Sequence, residues 1–334
     1  MKVQVLQPKA TGKEYKALKQ VLASGWWGPG PKVDELEKKW AKYTGARFAV
    51  AVNSCTSALD VACRLDILPK TVTVSPFTFI SSALAPLNAG YQVKFVDIDE
   101  ESLCTPYADI QVMYAGNQFG EGIIYDMAHS SGVKHKGLVS CWSFHAVKNL
   151  PAGDGGMITM NDPELYRKAK ALSWCGIDKS TYDRNHGKYA WDYNIIGAGL
   201  KAHMNDITAC IALEQFKVLE VGNLYRKMIA ATYDKYLPTF IKRPYRSKTW
   251  HLYTIQVPDR DKLFDFLASK GVGCGLHYKP LYNYDKVFGM RETLPVTEKV
   301  FHHIISLPIH LNLKISEVKK ICKLITEFYD RQHV

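Results

Sequence analysis

The sequence predicts an α/β fold in which a large domain contains a mainly parallel sheet of about seven strands and a smaller α+β domain follows. Two observations support this prediction. Between about residues 34 and 160, short runs rich in valine and isoleucine alternate with amphipathic helical segments, a pattern typical of a parallel sheet covered on both faces. From about residue 236, a shorter series of strands and helices begins. We therefore predict a large domain over residues 1–235 and a small domain over residues 236–334.

The individual elements are bounded by recognisable signals. VDELEKKWAKYTG is predicted to be an amphipathic helix that Asp34 caps and Gly45 ends. Further helices are predicted for TSALDVACRL, FISSALAPLNAG, PELYRKAKALSW, NDITACIALEQFKVLEVG, NLYRKMIAATYDKYL, DKLFDFLASKG and ISEVKKICKLITEFYD. The predicted strands are ARFAVAVNS, TVTVSP, QVKFVDID, IQVMYAG, EGIIYD, GLVSCWSF and GGMITMND, with HLYTIQVP and VGCGLHY in the small domain.

Composition narrows the class of protein. The chain has 334 residues, of which 47% are hydrophobic and 22% charged, and a net charge of +11; these values describe a globular chain and exclude a disordered acidic one. Its eight cysteines form no C-x-x-C pair, so we expect reduced thiols and neither a disulfide framework nor a metal site. The sequence has no run of the roughly 20 apolar residues that a membrane-spanning helix needs. No apolar segment typical of a secretory signal peptide is visible near its start. We expect a cytoplasmic enzyme.

Polar or aromatic side chains follow several predicted strands, at the edge where open α/β sheets bind ligands. They are Thr56 and Ser57 in NSCTS, Phe79 in SPFTFISS, Asp126 in GIIYDMAHSSG, and Ser143 and Lys148 in CWSFHAVKNLPAGDGG. Each has an ordinary structural alternative. The turn can be a helix N-cap made by Ser54 or Thr56, the phenylalanine a core residue, the aspartate a turn residue and the lysine a solvated surface charge.

Taken in order, these groups match the chemistry of pyridoxal 5′-phosphate. Hydroxyls and amides at a helix start bind phosphate, and an aromatic ring stacks on the heterocycle. A strand-end carboxylate keeps the pyridine nitrogen protonated. A partly desolvated lysine beside a glycine-rich turn forms a Schiff base with the aldehyde. The sequence contains no G-x-G-x-x-G after a strand, no G-x-x-x-x-G-K-[ST] and no H-E-x-x-H, so it does not indicate a competing nucleotide or zinc site.

Longer segments match, in order, the motifs of one enzyme family. These segments are GWWGPGPKVDELEKKWAKYTGARFAVAVNSCTSAL, SPFTFISSA, VKFVDID, YDMAHSSG, SFHAVKNLPAGDGGMI, GLKAHMNDITACIALEQFKVL, VGCGLHYKPLY and SLPIHLNLKISEV. On them, the sequence resembles the DegT/StrS family of sugar aminotransferases, which are fold-type-I pyridoxal-phosphate enzymes. The resemblance runs nearly end to end and implies the fold and the cofactor of that family.

The resemblance also implies roles for the matching residues. Lys148 would bind the cofactor and move the Cα proton of the amino donor, and Asp126 would hold the pyridinium proton. The other cofactor contacts would be Thr56, Ser57 and Ser143 at the phosphate, Phe79 and His129 at the ring, and Lys201 from the neighbouring subunit. Residues at the mouth of the sugar site would be Trp26, Trp27, His277 and Tyr278. The Lys201 position implies a homodimer with shared active sites.

The implied reaction is transamination from L-glutamate to a keto group of a nucleotide-diphosphate sugar, such as a 4-keto-6-deoxyhexose or a 3-keto sugar. A net positive charge suits a pyrophosphate substrate, and we expect neither a nucleic-acid nor a membrane partner. One alternative is a pyridoxal-phosphate-dependent sugar dehydratase relative, but those enzymes have histidine in place of Lys148. Another is a non-catalytic regulatory or binding protein on the same fold, for which no interleaved aromatic and basic patch is visible.

Two segments depart from the family pattern. Between Asp97 and Asp126, two apparent parallel strands are joined through about eight residues, whereas a crossover normally takes a dozen or more. We predict that the covering helix is absent there, so that this sheet face is thinner or covered by a partner subunit; the alternative is that IQVMYAG is not a sheet strand. Ala202 and His203 stand where the family often has an aromatic residue followed by Arg or Asn, which alters the expected subunit contacts.

Overall fold

The computed structural model describes residues 2–117, 119–179, 193–243, 247–289 and 294–331. The helices of the N-terminal part are α1 (Glu14–Ser24), α2 (Pro31–Thr44), α3 (Cys55–Cys63), α4 (Ser81–Asn88), α5 (Pro163–Leu172), α6 (Asp206–Phe216) and α7 (Leu219–Tyr236). The strands between them are β1 (Phe48–Val52), β2 (Thr71–Val74), β3 (Gln92–Phe95), β4 (Ile110–Val112), β5 (Ile124–Asp126), β6 (Val139–Ser143) and β7 (Gly156–Met160). The C-terminal part adds β8 (Tyr253–Gln256), α8 (Arg260–Ser269), α9 (Asp285–Phe288), α10 (Pro295–His303), β9 (Ile304–Leu307) and α11 (Ile315–Asp330).

The N-terminal strands form a seven-stranded sheet in the order β1-β7-β6-β5-β4-β2-β3. All neighbouring pairs are parallel except those of β7, which runs antiparallel to β1 and β6. Side chains of β1 alternate between the two faces: Val50 and Val52 pack with α3 and α5, and Ala49 and Ala51 pack with α2 and α6. Helices therefore cover both faces, and the predicted mainly parallel α/β/α sheet is confirmed.

The prediction that no covering helix lies between β4 and β5 is confirmed for the described residues, although the link, residues 113–123, is longer than the eight or so residues expected. β4 lies in the sheet and pairs in parallel with β5, from Ile110 opposite Ile124 to Val112 opposite Asp126, so the alternative that IQVMYAG is not a sheet strand is wrong. Among the described residues between the two strands, the helical structure is one 3₁₀ turn, at Tyr114–Gly116. The short link suffices because a strand of three residues spans only about 10 Å. The turn packs on Leu252 and Ile304, so residues of the same chain cover it.

The start of α2 differs from the prediction. The helix begins at Pro31, so Asp34 lies in its first turn and is not its N-cap. The cap comes instead from a carboxylate distant in sequence: Asp206 accepts hydrogen bonds from the N–H groups of Lys32 (3.1 Å) and Val33 (2.9 Å). At the other end, Gly45 adopts a left-handed conformation (φ 76°) and ends the helix, as predicted.

In the C-terminal part, β8 and β9 pair antiparallel, and α8 and α11 contribute to a second apolar core. The prediction of a strand for VGCGLHY is wrong, since Val272 and Gly275 form only isolated bridges. An N-terminal segment crosses closely there, because a Cβ on Gly273 would lie 3.0 Å from the Val3 carbonyl oxygen. Tyr233 of α7 also belongs to this core, and a domain boundary after residue 235 stays a prediction. Within the described part of the chain, no helix has both the length and the apolar character needed to cross a membrane.

Candidate active site

A cavity of about 380 Å³ opens at the carboxyl ends of β1, β2, β5 and β6. Most of the residues singled out from the sequence line it: Thr56, Phe79, Asp126, His129, Ser143, Lys148, His277 and Tyr278. Those from the N-terminal part meet because the carboxyl ends of parallel strands share one edge of the sheet. His277 and Tyr278 reach the cavity from the C-terminal part of the chain.

Lys148 lies in the loop between β6 and β7, which backbone hydrogen bonds hold in place. The N–H of Phe144 donates to the Gly155 carbonyl (2.8 Å), and the N–H of Ala146 donates to the Gly153 carbonyl (2.7 Å). The half-buried Lys148 side chain extends into the cavity, and burial lowers the pKa of its amine to about 8. A neutral amine is therefore accessible near physiological pH, as a nucleophile or general base requires.

Asp126 ends β5 and is only 6% exposed. Its Oδ2 accepts a hydrogen bond from the Ser82 hydroxyl (2.7 Å), and its Oδ1 accepts one from the Ala128 N–H (3.0 Å). Burial raises the pKa of this carboxyl group, although the two hydrogen bonds and the charge of Lys148 act in the opposite direction. No ion pair involves Asp126 in the part of the chain that the structure describes. The cavity thus contains a buried carboxylate that lacks a directly bonded cation.

His129 is a neutral ring with a defined tautomer. The backbone N–H of Ala115 donates to Nδ1 over 3.1 Å, so Nδ1 has no proton and Nε2 carries it. Nε2 lies 3.0 Å from the Tyr278 hydroxyl oxygen, which therefore accepts this hydrogen bond. Burial holds the pKa of His129 well below its usual value and raises the pKa of Tyr278. The Tyr278 hydroxyl keeps its proton and can donate it to a further group in the cavity.

His251 contacts Lys148 in the cavity lining and was not singled out from the sequence. It is 1% exposed, and its Nε2 lies 3.3 Å from Lys148 Nζ. Its Nδ1 lies 3.1 Å from Asn149 Oδ1, and the Asn149 amide nitrogen donates to Asn223 Oδ1 and the Thr249 carbonyl, both over 2.7 Å. Because a backbone carbonyl only accepts, the Asn149 amide has one orientation. His251 therefore donates from Nδ1 and presents an unprotonated Nε2 to Lys148.

The N-terminus of α3 forms one wall of the cavity. Ser54 caps the helix by accepting a hydrogen bond from the Ser57 N–H (3.0 Å), so the capping role considered for this turn is confirmed for Ser54. The exposed Thr56 hydroxyl lies 2.7 Å from the Ser81 hydroxyl. The buried Ser143, which ends β6, lines the same cavity. The first amides of a helix have no intrahelical partner and attract anions. This wall can therefore bind a phosphate group.

The remaining predicted residues do not line the cavity of their own chain: Ser57, Lys201, Trp26 and Trp27. The amine of the exposed Lys201 lies 5.8 Å from the centre of the Trp174 ring. Trp26 and Trp27 donate their indole N–H groups to backbone carbonyls of their own segment. A contact between Lys201 and the cofactor of a neighbouring subunit stays a prediction.

Sequence reasoning missed His251 because it is separated from Lys148 by 103 residues. The segment HLYTIQVP, which begins with this histidine, is predicted as an ordinary strand of the small domain. The available signal was a histidine at the start of an otherwise apolar strand, which is more often a core residue than part of a site.

One protein-family model matches this chain over most of its length. The model of the DegT/DnrJ/EryC1/StrS aminotransferase family matches residues 8–117 and 111–326. The two matches together include Lys148 and all the other residues that line the cavity except Leu6.

Solved structures with the same fold were also found. Spr1654 from Streptococcus pneumoniae, in its PMP form, is 25% identical with a TM-score of 0.89, over 98% of this chain and 99% of that chain. The PLP form of the same protein has a TM-score of 0.88. AtS13 from Actinomadura melliaura is 26% identical with a TM-score of 0.88, over 98% and 99% of the two chains. PseC from Helicobacter pylori, at 23% identity, a TM-score of 0.89 and 99% and 100% coverage, shows likeness of fold alone.

Proposed function

The chain belongs to the DegT/DnrJ/EryC1/StrS aminotransferase family, whose members depend on pyridoxal 5′-phosphate, and we propose that it transfers the amino group of L-glutamate to a keto group of a nucleotide-diphosphate sugar. The observation that carries this proposal is the cavity in which Lys148, with its lowered pKa, lies near a buried Asp126. Spr1654, which carries a provisional sugar-aminotransferase assignment, supports a sugar as the acceptor.

The cavity residues fit pyridoxal 5′-phosphate. The buried carboxylate of Asp126 lacks an ion pair among the described residues, and a protonated ring nitrogen would supply one. The N-terminus of α3, with Thr56, and the Ser143 hydroxyl would hold the phosphate. Ser57 would join them only if its hydroxyl turned away from Asn53 Oδ1, to which it now donates. Phe79, which is 57% exposed at the cavity wall, would lie against the ring. His129 would contact the ring or its oxygen substituent.

When bound, the cofactor supplies an electron-withdrawing ring that stabilises negative charge on the α-carbon of the donor. Asp126 holds the proton on the ring nitrogen. Once the amino donor has displaced it from the cofactor, the amine of Lys148 would accept the proton from the α-carbon of the donor. It would then return this proton to the carbon that links the nitrogen to the cofactor ring. A pKa of about 8 suits both transfers, because a general base works best when its pKa is near the working pH.

The sugar would enter from the side of the cavity where His277 and Tyr278 lie. The Nδ1 of His277 is 2.8 Å from the Ser306 hydroxyl, and burial lowers the pKa of its ring to about 4, so it would contact the sugar as a neutral group. Trp26 and Trp27 would line the outer part of the site. We further propose a homodimer in which Lys201 completes the site of the neighbouring subunit.

Lys148 distinguishes this proposal from the dehydratase alternative, which has histidine at that position. The lysine is present and extends into the cavity, so the residues favour amino transfer. We also propose that the enzyme works in the cytoplasm. Its eight cysteines are free thiols, which suits a reducing compartment.

The test is to supply nitrogen-isotope-labelled L-glutamate and a 4-keto-6-deoxyhexose nucleotide and to follow the label by mass spectrometry. We expect the label in an amino-sugar nucleotide, together with 2-oxoglutarate, and no transfer by Lys148→Ala. If the labelled nitrogen reached the cofactor but was not transferred to any keto sugar tested, a keto-sugar nucleotide would be ruled out as the acceptor. A sugar product that loses a hydroxyl group and gains no nitrogen would favour the dehydratase.

A further inference from the structure

The mechanism above leaves one close contact of Lys148 without a role. The Nζ atom lies 3.3 Å from Nε2 of His251, a residue that is 1% exposed. The centre of the His251 ring lies 4.5 Å from the centre of the His129 ring. The contact joins the loop that carries Lys148 to the segment before β8, so it spans the N-terminal and C-terminal parts of the chain.

His251 is poorly placed to pass protons onward. Its Nδ1–H bond ends at Asn149 Oδ1, and the Asn149 amide group donates to Asn223 and the Thr249 carbonyl. Neither an amide nor a carbonyl takes up and releases protons at ordinary pH. Burial and the neighbouring charge of Lys148 also hold the pKa of His251 well below its usual value. The ring therefore stays neutral and keeps one orientation.

We propose that His251 is a positioning residue for Lys148. Its unprotonated Nε2 accepts a hydrogen bond from Lys148 Nζ and directs the lone pair of the neutral amine away from the ring, into the cavity. The inference rests on the proposed function, since it assigns Lys148 to the cofactor.

The positioning matters when Lys148 captures the cofactor. The amine nitrogen attacks the aldehyde carbon, a carbon–nitrogen bond forms, and the aldehyde oxygen leaves as water with two protons from the amine. A four-carbon side chain that rotates freely seldom presents its lone pair correctly. One hydrogen bond to a fixed acceptor selects the productive orientation.

Two substitutions separate this role from a purely structural one. His251→Asn places an amide nitrogen where Nδ1 lies and preserves the contact with Asn149, but nothing reaches Lys148. His251→Gln places an amide oxygen where Nε2 lies and preserves an acceptor for Lys148. His310→Asn is the control, because His310 is another buried histidine, bonded to Gln4 and Asn312 and absent from the cavity lining.

The measurement compares two ligands of the cofactor-free protein. The affinity for pyridoxamine 5′-phosphate reports whether the cavity is intact, because this ligand binds without a covalent bond to Lys148. The rate at which pyridoxal 5′-phosphate produces its long-wavelength absorption band tests Lys148. We expect His251→Asn to slow this capture by about tenfold with unchanged affinity for pyridoxamine 5′-phosphate. His251→Gln should restore most of the rate, and His310→Asn should change neither quantity.

Equal capture rates in the two His251 variants would overturn the inference, and so would a loss of pyridoxamine 5′-phosphate affinity that matches the loss of capture. These outcomes differ from failure of the proposed function. If the native protein formed no long-wavelength band, the assignment of Lys148 itself would be wrong. A native band with no nitrogen transferred to any keto sugar would contradict the acceptor and leave the role of His251 standing.

Discussion

At the scale of the residue, the site depends on two groups of opposite charge that burial pushes towards their neutral forms. Burial lowers the pKa of Lys148 and raises that of Asp126. Their mutual attraction only partly offsets the loss of solvation. A cationic ring nitrogen would stabilise Asp126 as a carboxylate. Condensation with the cofactor would replace the buried amine of Lys148. Binding of the cofactor would therefore offset the desolvation cost of both charged groups.

The pH dependence of cofactor capture follows from the lowered pKa of Lys148. Only the neutral amine attacks the aldehyde, so the capture rate should rise with pH to a plateau. We expect a midpoint near pH 8, because the pKa falls from 10.5 to about 8. Stopped-flow absorbance from pH 6 to about 11 measures the midpoint, since this range includes the ordinary lysine value of 10.5. A midpoint at the ordinary lysine value would show that Lys148 is solvated and would contradict its placement in the cavity.

Replacement of Asp126 by asparagine should separate chemistry from folding. Asp126→Asn cannot keep the ring nitrogen protonated, so we expect turnover to fall by about a hundredfold, as when one electrostatic contact is removed from an active site. The cofactor-free protein should lose no more than about 1 kcal/mol of stability, because a buried charge is removed. Steady-state rates and urea unfolding measure the two effects. Near-native turnover would remove Asp126 from the mechanism.

At the scale of the element, the close approach of β7 to α3 positions the phosphate wall relative to the Lys148 loop. A Cβ atom on Gly156, the first residue of β7, would lie 2.5 Å from the Ser54 carbonyl carbon and 2.7 Å from the Cys55 nitrogen. Backbone atoms cannot move aside as a flexible side chain can. The glycine therefore sets the distance between the two sides of the site.

Substitution of this glycine tests that relation. Gly156→Ala should lower stability by about 2 kcal/mol or more through overpacking and should weaken binding of pyridoxamine 5′-phosphate. Gly153→Ala is the matched control: its φ is +88° and nothing lies within 4 Å of the added Cβ, so it should cost only about 1 kcal/mol of backbone strain. Equal effects of the two variants on ligand affinity would contradict the role of the contact.

Sequence patterns predicted most elements but not the contacts between distant ones. Periodicity located the seven strands, and the shortness of the segment before Asp126 predicted the missing helix. Sequence patterns do not show that Asp206 caps α2, because the usual N-cap residue is a neighbour in sequence; the prediction of Asp34 as the cap is wrong for this reason. VGCGLHY was assigned as a strand because its apolar pattern does not show that an N-terminal segment crosses there.

The same limit applied to the site. Strand-end residues such as Asp126 and Lys148 could be placed in one cavity because parallel strands end at a common edge. His251 could not, since it reaches Lys148 from the C-terminal part of the chain, and no pattern in the sequence relates the two. The orientation of Asn149 is likewise determined only by the folded backbone around Thr249.

At the scale of the whole molecule, the proposed homodimer predicts that two inactive variants complement each other. Lys148→Ala and Lys201→Glu should each be inactive alone. After the subunits are mixed and exchanged, half the dimers should be mixed, and one of their two sites should contain both native lysines. We therefore expect about a quarter of native activity. No recovery, with subunit exchange shown by mass spectrometry, would contradict a site shared between subunits.

Lys148 and Asp126 are proposed to form a working pyridoxal-phosphate site that accepts nitrogen from L-glutamate. The visible absorption spectrum of the protein purified with the cofactor, recorded before and after L-glutamate is added, tests it most directly. We expect a long-wavelength band that disappears as the shorter-wavelength band of the amine form of the cofactor grows, and no such band in Lys148→Ala. A native protein without the band, or with a band that L-glutamate leaves unchanged, would contradict this role of Lys148 and Asp126.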